Sequence, residues 1–443
     1  MGKKIGMISL GCVKNQVDAE VMLEKLRTAG YEITANEAEA DAIIVNTCGF
    51  IESAKAEAIE NILDAAEHKK NGKLQALIVT GCLAERYRDQ ISSELPEVDL
   101  VVGIGKNEEI VELVGAALEG KAENAYALPE ALPLGGERMR TTPPYTAYIK
   151  VSDGCDNCCT YCAIPMIRGK LRSRKMEDVL NEAEKLAADG VKELIVVAQD
   201  TTAYGTDLYG RSRLTDLLLE LCKIEGLHWI RTLYTYPDKI DDALLYAIRD
   251  NEKLVPYLDI PIQHCNGEIL HSMNRSGDKA QLTALMGRIR EIVPEMTLRT
   301  TLITGFPGEH EAEFTELAEF VNEIRFDRLG CFAYSAEENT PAAEFADQVD
   351  EQTKQDRMEN IMNDQLTIAQ EKNQEKMGQT VEVLIEGYDD YIRCYYGRSV
   401  ADAPDIDGKV FFLSPHALTI GEFVQVDIID TIEYDLLGEL HEA

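Results

Sequence analysis

Apolar runs alternate with amphipathic segments in the first third of the chain. The runs 3–10, 42–47 and 74–80 are mostly apolar, as expected for strands that are buried on both faces. Residues 18–29 and 51–68, which lie between them, have the residue spacing of amphipathic helices. This alternation predicts an N-terminal α/β domain in which helices cover both faces of a parallel sheet.

A similar alternation resumes after a segment rich in proline and glycine, residues 121–144. Six further runs are predicted to be strands: 145–151, 193–198, 230–234, 257–260, 297–303 and 328–332. Helical patterns separate them, among them 176–189, 214–224, 279–292 and 311–324. Six βα units in series predict an open, partial (βα)6 barrel, whose functional groups are expected at the carboxyl ends of its strands.

The hydrophobic period changes near the C-terminus. A long helical pattern over 351–376 is followed by alternating segments at 380–385, 410–413 and 423–428. Short alternating strands predict a small antiparallel β-barrel. We therefore expect four parts: an N-terminal domain (1–120), a linker (121–144), a central domain (145–374) and a C-terminal barrel (375–443).

Charge and targeting signals narrow the choice of partners. The formal net charge is −35, and residues 375–443 contain 15 acidic and 4 basic side chains. Such a chain repels phosphate backbones, so a basic protein is a better expected partner than nucleic acid, although acidity can also serve solubility alone. No signal peptide or membrane-length apolar run is found in the sequence, which predicts a cytoplasmic protein without a membrane partner.

Four cysteines occur within eight residues, directly after the first predicted strand of the central domain. Cys155, Cys159 and Cys162 provide three thiolates, enough to hold a 4Fe–4S cluster with one iron left open for chemistry. A zinc knuckle is the alternative, but it needs a second pair of ligands, and no matching pair follows. Disulfides are disfavoured in a reducing compartment.

Three more cysteines stand at the carboxyl ends of the N-terminal strands. Cys12, Cys48 and Cys82 each follow one of the three predicted strands. Ligands of open parallel sheets bind just beyond that edge, so the pattern predicts a second three-thiolate cluster. For each cysteine taken singly an ordinary buried thiol is favoured, and it is their joint placement that favours a cluster.

The Cys-x3-Cys-x2-Cys motif with an aromatic residue before its last cysteine resembles the radical S-adenosylmethionine superfamily. The order of the three domains resembles its methylthiotransferases. Segments 11–18, 46–51 and 199–208 resemble the RimO type, and the resemblance covers essentially the whole chain. Cys158 and Cys265 have no counterpart in the motifs and are interpreted as spectators.

The resemblance implies an enzyme with two 4Fe–4S clusters, S-adenosylmethionine and an external electron donor. The cluster on Cys155, Cys159 and Cys162 would generate a 5′-deoxyadenosyl radical, and the cluster on Cys12, Cys48 and Cys82 would carry the sulfur. The methylthio group would be added to the β-carbon of an aspartate in the small-subunit ribosomal protein S-twelve, which is basic. Transfer RNA adenosine, as in the sister enzymes, is the alternative substrate, and a non-enzymatic iron–sulfur or zinc protein is the third hypothesis.

The resemblance also suggests roles for individual side chains. Tyr161 would pack against the adenine of S-adenosylmethionine, unless it is an ordinary loop aromatic. Lys14 and Asn15 would orient the carboxylate of the target aspartate. Four polar residues near the predicted mouth of the central domain are candidate cofactor contacts, although such groups often only satisfy loop backbone: Gln199, Asp200, Gln263 and Arg299.

Overall fold

The N-terminal domain is built on a five-stranded parallel sheet. The structure is a computed structural model that describes residues 2–442. The strands are β1 (Lys4–Ser9), β2 (Glu32–Ile33), β3 (Ala42–Thr47), β4 (Ala76–Gly81) and β5 (Leu100–Val101), in the order β2-β1-β3-β4-β5. The helices are α1 (Val13–Thr28), α2 (Glu52–Asn71), α3 (Cys82–Tyr87), α4 (Asp89–Glu94) and α5 (Ile110–Leu118).

Both faces of this sheet are buried, as the unbroken apolar runs of its middle strands predict. Ile43 of β3 packs in one core with Ile62 of α2. Ile44, the next residue of the same strand, packs in the opposite core with Leu26 of α1. Because successive side chains of a strand point to opposite faces, a continuous apolar run requires helices on both sides. The predicted parallel α/β domain is confirmed.

The central domain contains a six-stranded parallel sheet that does not close. Its strands are β6 (Thr146–Lys150), β9 (Glu193–Val197), β10 (Trp229–Thr232), β11 (Leu254–Asp259), β12 (Thr297–Thr304) and β13 (Arg328–Ala333), in the order β13-β12-β11-β10-β9-β6. A small antiparallel pair, β7 (Ser152–Asp153) and β8 (Arg172–Ser173), follows β6 in the chain. The predicted partial (βα)6 barrel is confirmed.

Nine helices of the central region lie among and beyond these strands within residues 2–442. They are α6 (Ile164–Arg168), α7 (Met176–Ala188), α8 (Thr206–Tyr209), α9 (Leu214–Leu221), α10 (Asp242–Asp250), α11 (Gly267–Ser272), α12 (Lys279–Ile292), α13 (Glu311–Ile324) and α14 (Glu351–Gln374). Seven of them share one large core with the sheet, whereas Ile167 of α6 packs with Cys82 of the N-terminal domain. In the part of the chain that the structure describes, no helix is both long and apolar enough to cross a membrane.

The C-terminal region forms a closed five-stranded barrel, as predicted. Its strands are β14 (Thr380–Asp389), β15 (Cys394–Arg398), β16 (Val410–Leu413), β17 (Phe423–Ile432) and β18 (Asp435–Leu440). Four of the strand pairs that close the barrel are antiparallel, whereas β16 and β18 run parallel to each other. The small size of the barrel leaves its interior filled by side chains such as Val383, Phe412 and Ile428.

The C-terminal barrel covers the inner face of the open central sheet. Leu384 and Ala403 of the barrel share an apolar core with Tyr148 and Trp229 of the sheet and with Val17 of α1. Buried ion pairs surround this core: Arg398 with Glu193 at 2.5 Å, Arg328 with Asp402 at 2.5 Å, and Arg299 with Asp259 at 2.9 Å. Side chains of all three domains therefore contribute to one apolar core.

Candidate functional site

The first set of cysteines lies at one edge of the N-terminal sheet. Cys48 and Cys82 directly follow β3 and β4, whereas Cys12 comes three residues after the end of β1. The strand ends are level, because Ser9 pairs with Asn46 and Thr47 pairs with Gly81. Cys12, Cys48 and Cys82, here called the N-terminal trio, are thereby brought together from three distant parts of the chain.

The turn between β1 and α1 explains why the first strand ends earlier than predicted. Gly11 has φ +83°, and a Cβ added there would lie 2.9 Å from the sulfur of Cys48. The side-chain amide of Asn15 donates to the Leu10 carbonyl at 2.8 Å, and that of Asn46 donates to the Asn15 carbonyl at 2.8 Å. Glycine is required here because it allows both the left-handed backbone and the close approach of the thiol.

The thiols of the N-terminal trio differ in acidity. Burial, together with the nearby Cys82 sulfur, raises the pKa of Cys48 to about 11, and burial also raises the pKa of Cys82. Desolvation raises the pKa of Cys12 as well, but the positive charges of Lys14 and Arg168 more than offset it, so that this pKa is lowered. Cys12 is also the exposed member of the trio. It is therefore the thiol of this set that ionises first.

The second set of cysteines lies in one compact loop between β7 and β8. Cys155, Cys159 and Cys162, here called the central trio, are all half-buried. Gly154 opens the loop with φ +77°, and a Cβ there would lie 2.1 Å from the Lys170 carbonyl oxygen. The loop is tied to α11 because Thr160 donates its backbone N–H to the Met273 carbonyl at 3.0 Å and its hydroxyl to the Ser272 carbonyl at 2.8 Å.

The two cysteines interpreted as spectators have different surroundings. Cys158 is exposed and has φ +50°, at a point where the side chain of Asn274 holds its carbonyl at 3.0 Å. Cys265 is fully buried in the central core, and burial raises its pKa to about 12. Neither thiol shares the half-buried setting of the central trio, and the interpretation of both as spectators stays a prediction.

A buried arginine, which sequence reasoning did not single out, adjoins the central trio. Arg275 places Nη1 3.9 Å from the Cys159 sulfur, and its guanidinium carbon lies 4.2 Å from the Tyr236 ring centroid. Burial raises the pKa of Cys155 to about 11 and that of Cys162 to about 12. Burial thus favours the protonated form of these thiols, whereas the positive charge of the guanidinium favours their thiolate form.

Four charged side chains connect the two trios across the domain boundary. Arg168 donates Nη1 to Asp18 at 2.6 Å and to Asp153 at 3.1 Å, and Lys150 forms ion pairs with the same two carboxylates. All four are buried. Arg168 also places Nη2 3.5 Å from the sulfur of Cys82. We call Asp18, Lys150, Asp153 and Arg168 the interdomain ion network.

This network adjoins both trios at once. Asp153 accepts the backbone N–H of Gly154 at 2.9 Å, one residue before Cys155, and Arg168 ends the helix that follows Cys162. Burial alone would raise the pKa of Asp153, but the charges of Lys150 and Arg168 hold it well below its usual range. The ionised carboxylate of Asp153 therefore binds both the cysteine loop of the central domain and the guanidinium of Arg168. That guanidinium in turn contacts the N-terminal trio.

Two of the predicted cofactor contacts lie beside the central loop. The side-chain nitrogen of Gln199 donates to Asp153 at 2.9 Å, whereas its buried oxygen has no hydrogen-bond partner within residues 2–442. The carboxylate of Asp200 accepts from Asn157 at 2.7 Å and from Lys239 at 2.6 Å, and it also caps the following turn. The side-chain oxygen of Gln199 is thus available to accept a hydrogen bond, and Asp200 stabilises the cysteine loop through Asn157.

The other three predicted contacts have different settings. Tyr161 lies half-buried in the central loop, with its ring 6.5 Å from that of Phe306 in an edge-on arrangement. Gln263 has φ +69° and bonds through its backbone to β12. Arg299 is bound by Asp259 and lies 3.5 Å from Asp407 of the C-terminal barrel. Its guanidinium is therefore already occupied by protein carboxylates.

The donor sets suit iron–sulfur clusters better than a single zinc ion. Among residues 2–442, no three His, Cys, Asp or Glu side chains converge so as to hold one metal ion. A structural zinc site needs four ligands around one ion, whereas the thiolates of a cluster bind different irons and do not converge on one point. Two sets of three cysteines, each with an arginine near one sulfur, fit an anionic cluster.

Three family models match successive parts of the chain. Uncharacterized protein family UPF0004 matches residues 4–103, the Radical SAM superfamily matches 149–321, and the TRAM domain matches 377–440. The three matches fall on the N-terminal sheet, the open central sheet and the closed C-terminal barrel.

Curated relatives match the chain from end to end. The ribosomal protein uS12 methylthiotransferase RimO of Acetivibrio thermocellus is 49% identical, with 99% of both chains covered. The chain belongs to the RimO family of radical S-adenosylmethionine methylthiotransferases. RimO of Pelotomaculum thermopropionicum is 50% identical over 99% of both chains, and that of Geobacter sulfurreducens is 46% identical over 99% of this chain and 98% of its own.

Solved structures share the fold at low sequence identity. The radical S-adenosylmethionine methyltransferase TsrM from Kitasatospora setae has a TM-score of 0.57 at 13% identity, covering 77% of this chain and 75% of its own. The cobalamin-dependent S-adenosylmethionine radical enzyme OxsB has a TM-score of 0.52 at 13% identity, covering 83% of this chain and 58% of its own. A RimO-family chain thus shares its architecture with radical enzymes of different chemistry. Membership of the superfamily implies a 4Fe–4S cluster and S-adenosylmethionine as cofactors.

Proposed function

We propose that this RimO-family enzyme transfers a methylthio group to the β-carbon of an aspartate in ribosomal protein uS12, in the cytoplasm and with an external electron donor. The relatives that cover 99% of the chain carry this activity in their names. The observation that carries the proposal is the interdomain ion network, which contacts the sulfur of Cys82 on one side and the backbone of Gly154, next to Cys155, on the other. A transfer that needs both a radical and a sulfur donor requires its two centres to face one substrate.

Each trio has its own part in the proposal. When bound on the central trio, a 4Fe–4S cluster with S-adenosylmethionine supplies one-electron cleavage that yields a 5′-deoxyadenosyl radical. Cys155, Cys159 and Cys162 hold three irons there and leave one open. Cys12, Cys48 and Cys82 would hold a second 4Fe–4S cluster, which would supply the sulfur for transfer. The domains that support the sites are 1–120, 145–374 and 375–443, joined by the linker 121–144.

The remaining side chains position the cofactor at the central trio. Tyr161 packs against the adenine, which is supported by its half-buried ring beside the cysteines. Gln199 presents an unpartnered buried oxygen, an acceptor suited to an ammonium or hydroxyl donor. Asp200 and Gln263 shape the mouth through their turns, and Arg299 supports it indirectly through its ion pairs with Asp259 and Asp407.

Charge favours a basic protein over transfer RNA as the substrate. The C-terminal barrel carries 15 acidic against 4 basic side chains, so that its field attracts a basic protein and repels a polyphosphate. Ribosomal proteins that bind RNA are typically basic. We therefore expect association with uS12 to weaken as ionic strength rises, because the attraction acts between solvated charges.

The test is a direct comparison of the two substrates. The protein is reconstituted with iron and sulfide without oxygen, reduced, supplied with S-adenosylmethionine, and offered purified uS12 and transfer RNA in parallel. Mass spectrometry is expected to find the methylthio group on an aspartate of uS12. Cys82→Ala is the matched control, which retains radical formation and loses the modification. A methylthio group on transfer RNA, with uS12 unmodified, would contradict the proposal.

A further inference from the structure

One edge of the N-terminal sheet is open beside the N-terminal trio. β2 pairs with β1 only at Lys4 and Ile5, and the Thr34 backbone N–H then donates to the Ile5 carbonyl at 3.0 Å. Beyond Thr34 the chain returns to the sheet as β3, on the opposite side of β1. Within residues 2–442, the last part of β1, from Met7 to Ser9, therefore has a neighbouring strand on one side only.

The backbone groups of Met7 and Ser9 point to this open side. In a parallel sheet the N–H and C=O of one residue point to the same neighbouring strand, and successive residues alternate between the two neighbours. The carbonyl of Lys4 accepts from the residue that precedes β3, whereas that of Ile5 accepts from the residue after β2. The odd-numbered residues of β1 therefore face away from β3. No backbone group of the described residues pairs with Met7 or Ser9 on that side.

A cavity of about 370 Å³ lies along the open edge of β1. It is lined by Ser9 and Gly11 on the strand side, both of which are exposed, and by Gln16, Ala19 and Leu23 of α1 on the other side. The described residues that line it carry no charge. The cavity thus combines free main-chain donors and acceptors with uncharged walls, which suits an extended peptide better than a charged ligand.

The cavity adjoins the N-terminal trio. Gly11 lines it and is followed by Cys12, the exposed thiol of the trio. A Cβ at Gly11 would lie 2.9 Å from the sulfur of Cys48, so this glycine contacts the cavity and the trio at once. Because a strand rises about 3.3 Å per residue, a segment paired with Ser9 reaches the level of Cys12 within roughly three residues.

We propose that the open edge of β1 binds an extended segment of uS12 by main-chain hydrogen bonds and so leads the chain that carries the target aspartate to the N-terminal trio. This rests on the proposed function. The segment adds a sixth strand to the sheet, next to β1 and beyond the end of β2. Since residues 2–442 have their places elsewhere in the fold, the added strand comes from another chain, and uS12 is the protein that must reach this trio.

Main-chain pairing recognises the extended conformation of the segment and not its charge. The site is therefore distinct from the attraction that the acidic C-terminal barrel exerts on a basic protein, which salt weakens. The charge of the barrel brings uS12 to the enzyme, and the open edge fixes the direction of its chain relative to the trio.

Hydrogen–deuterium exchange of the reconstituted full-length enzyme, without reductant, tests the pairing directly. When saturating uS12 is added, peptides that cover residues 4–11 are expected to gain protection at about two amides, those of Met7 and Ser9. Peptides that cover β5, the strand at the opposite edge of the sheet, should not change. Unchanged exchange over residues 4–11 with uS12 bound would overturn the inference.

A proline tests the contribution of one edge donor. Ser9→Pro removes the N–H of Ser9 but leaves the bonds between β1 and β3, because this N–H points away from β3. Fluorescence anisotropy of labelled uS12 is expected to give a Kd about fivefold higher, as for the loss of one neutral hydrogen bond. Ser9→Ala is the matched control, which keeps the N–H and should keep the wild-type Kd. Equal Kd values for the two variants would contradict the proposal.

A second variant fills the cavity from the helix side. Ala19→Phe places a ring where the added strand would lie and should raise the Kd for uS12 by about tenfold or more. Ala38→Phe adds the same ring at an exposed position in a short turn and should leave the Kd unchanged. The iron content of each variant is measured as well, so that a raised Kd at wild-type iron content reports the edge and not the trio.

Three outcomes would overturn the inference. If exchange over residues 4–11 slows with enzyme concentration in the absence of uS12, the edge binds a second copy of this chain instead. If wild type modifies uS12 while neither Ser9→Pro nor Ala19→Phe changes the Kd, the inference fails alone. If wild type neither binds nor modifies uS12, the proposed function fails with it.

Discussion

The two cysteine trios reach similar donor sets by opposite routes. The central trio comes from one loop of eight residues, whereas the N-terminal trio is assembled from three strand ends separated by more than thirty residues each. The loop trio depends on local turns, such as the one at Gly154. The sheet trio depends on strand order and register, with β1, β3 and β4 adjacent and level.

A site built in one loop and a site built from three strands are sensitive to different structural changes. A loop site tolerates changes in distant elements as long as its turns and tethers persist. A sheet site is lost when any one of three strands shifts, because its ligands are far apart along the chain and only strand register holds them together. The interdomain ion network adds a second dependence, since Arg168 of the central domain contacts Cys82 of the sheet site.

The largest expected effect separates the trios by function. Cys155→Ala, Cys159→Ala or Cys162→Ala should abolish formation of 5′-deoxyadenosine, because three thiolates are needed to hold the cluster. Cys12→Ala, Cys48→Ala or Cys82→Ala should retain that product and stop methylthio transfer. Liquid chromatography measures 5′-deoxyadenosine, and mass spectrometry of uS12 measures the transfer.

The spectator cysteines provide the matched controls for this experiment. Cys158→Ala changes an exposed thiol inside the central loop, and Cys265→Ala changes a buried thiol outside it. Both variants should still form 5′-deoxyadenosine and methylthiolated uS12. Loss of 5′-deoxyadenosine in Cys158→Ala would mean that the central ligands are a different set of three cysteines.

A smaller effect is expected from breaking the link between the trios. Arg168→Met leaves Asp18 and Asp153 with Lys150 as their remaining buried cation, and loss of a partner from a buried ion pair costs about 3–5 kcal/mol of unfolding free energy. Denaturant titration measures this loss. The yield of transfer relative to 5′-deoxyadenosine should also fall at a temperature where the variant is folded.

Arg328→Met is the matched control for that variant. It removes another buried arginine, which pairs with Asp402 at 2.5 Å and lies on the surface covered by the C-terminal barrel. A similar loss of stability is expected, with the ratio of the two products unchanged. Equal ratios in both variants would show that Arg168 contributes to folding alone.

The smallest expected effect concerns the acidity of the thiols in metal-free protein. Cys12 has a lowered pKa, while the pKa values of Cys48 and Cys155 are raised to about 11. Because the thiolate is the reactive form, iodoacetamide should modify Cys12 before Cys48 at neutral pH. Raising the pH should increase the rates at Cys48 and Cys155 over a range where that at Cys12 has already levelled. Peptide mass spectrometry over a pH series measures the order, and faster reaction at Cys48 would contradict it.

Much of the architecture was predictable because its signals are local. The apolar runs around Ile44 and Ile78 identified buried strands, and the cysteines after them marked the edge of a parallel sheet. The spacing of Cys155, Cys159 and Cys162 was visible without any fold. The end of β1 was placed one residue too late, since Leu10 prolongs the apolar run although β1 ends at Ser9, just before the turn at Gly11.

The partners of the polar residues were not predictable in the same way. Arg299, a predicted cofactor contact, pairs with Asp259 of β11 and with Asp407 of the C-terminal barrel, and neither partner could be read from local sequence. Arg168 and Arg275 gave no signal, since neither has a fixed spacing from the cysteine that it contacts. Charges within otherwise apolar strands, such as Lys150 in β6 and Glu193 in β9, were local cues to buried ion pairs.

The positions of the cysteines and the segments that form strands and helices follow from the sequence alone. Those properties depend on residue type and on periods of a few residues. Only the tertiary structure decided which charges remain unpaired, because a counter-ion lies anywhere from three to more than a hundred residues away along the chain. Lys14 and Lys150 are both buried lysines, but only the structure shows that Lys150 belongs to an internal ion network whereas Lys14 lies over the ring of Tyr234.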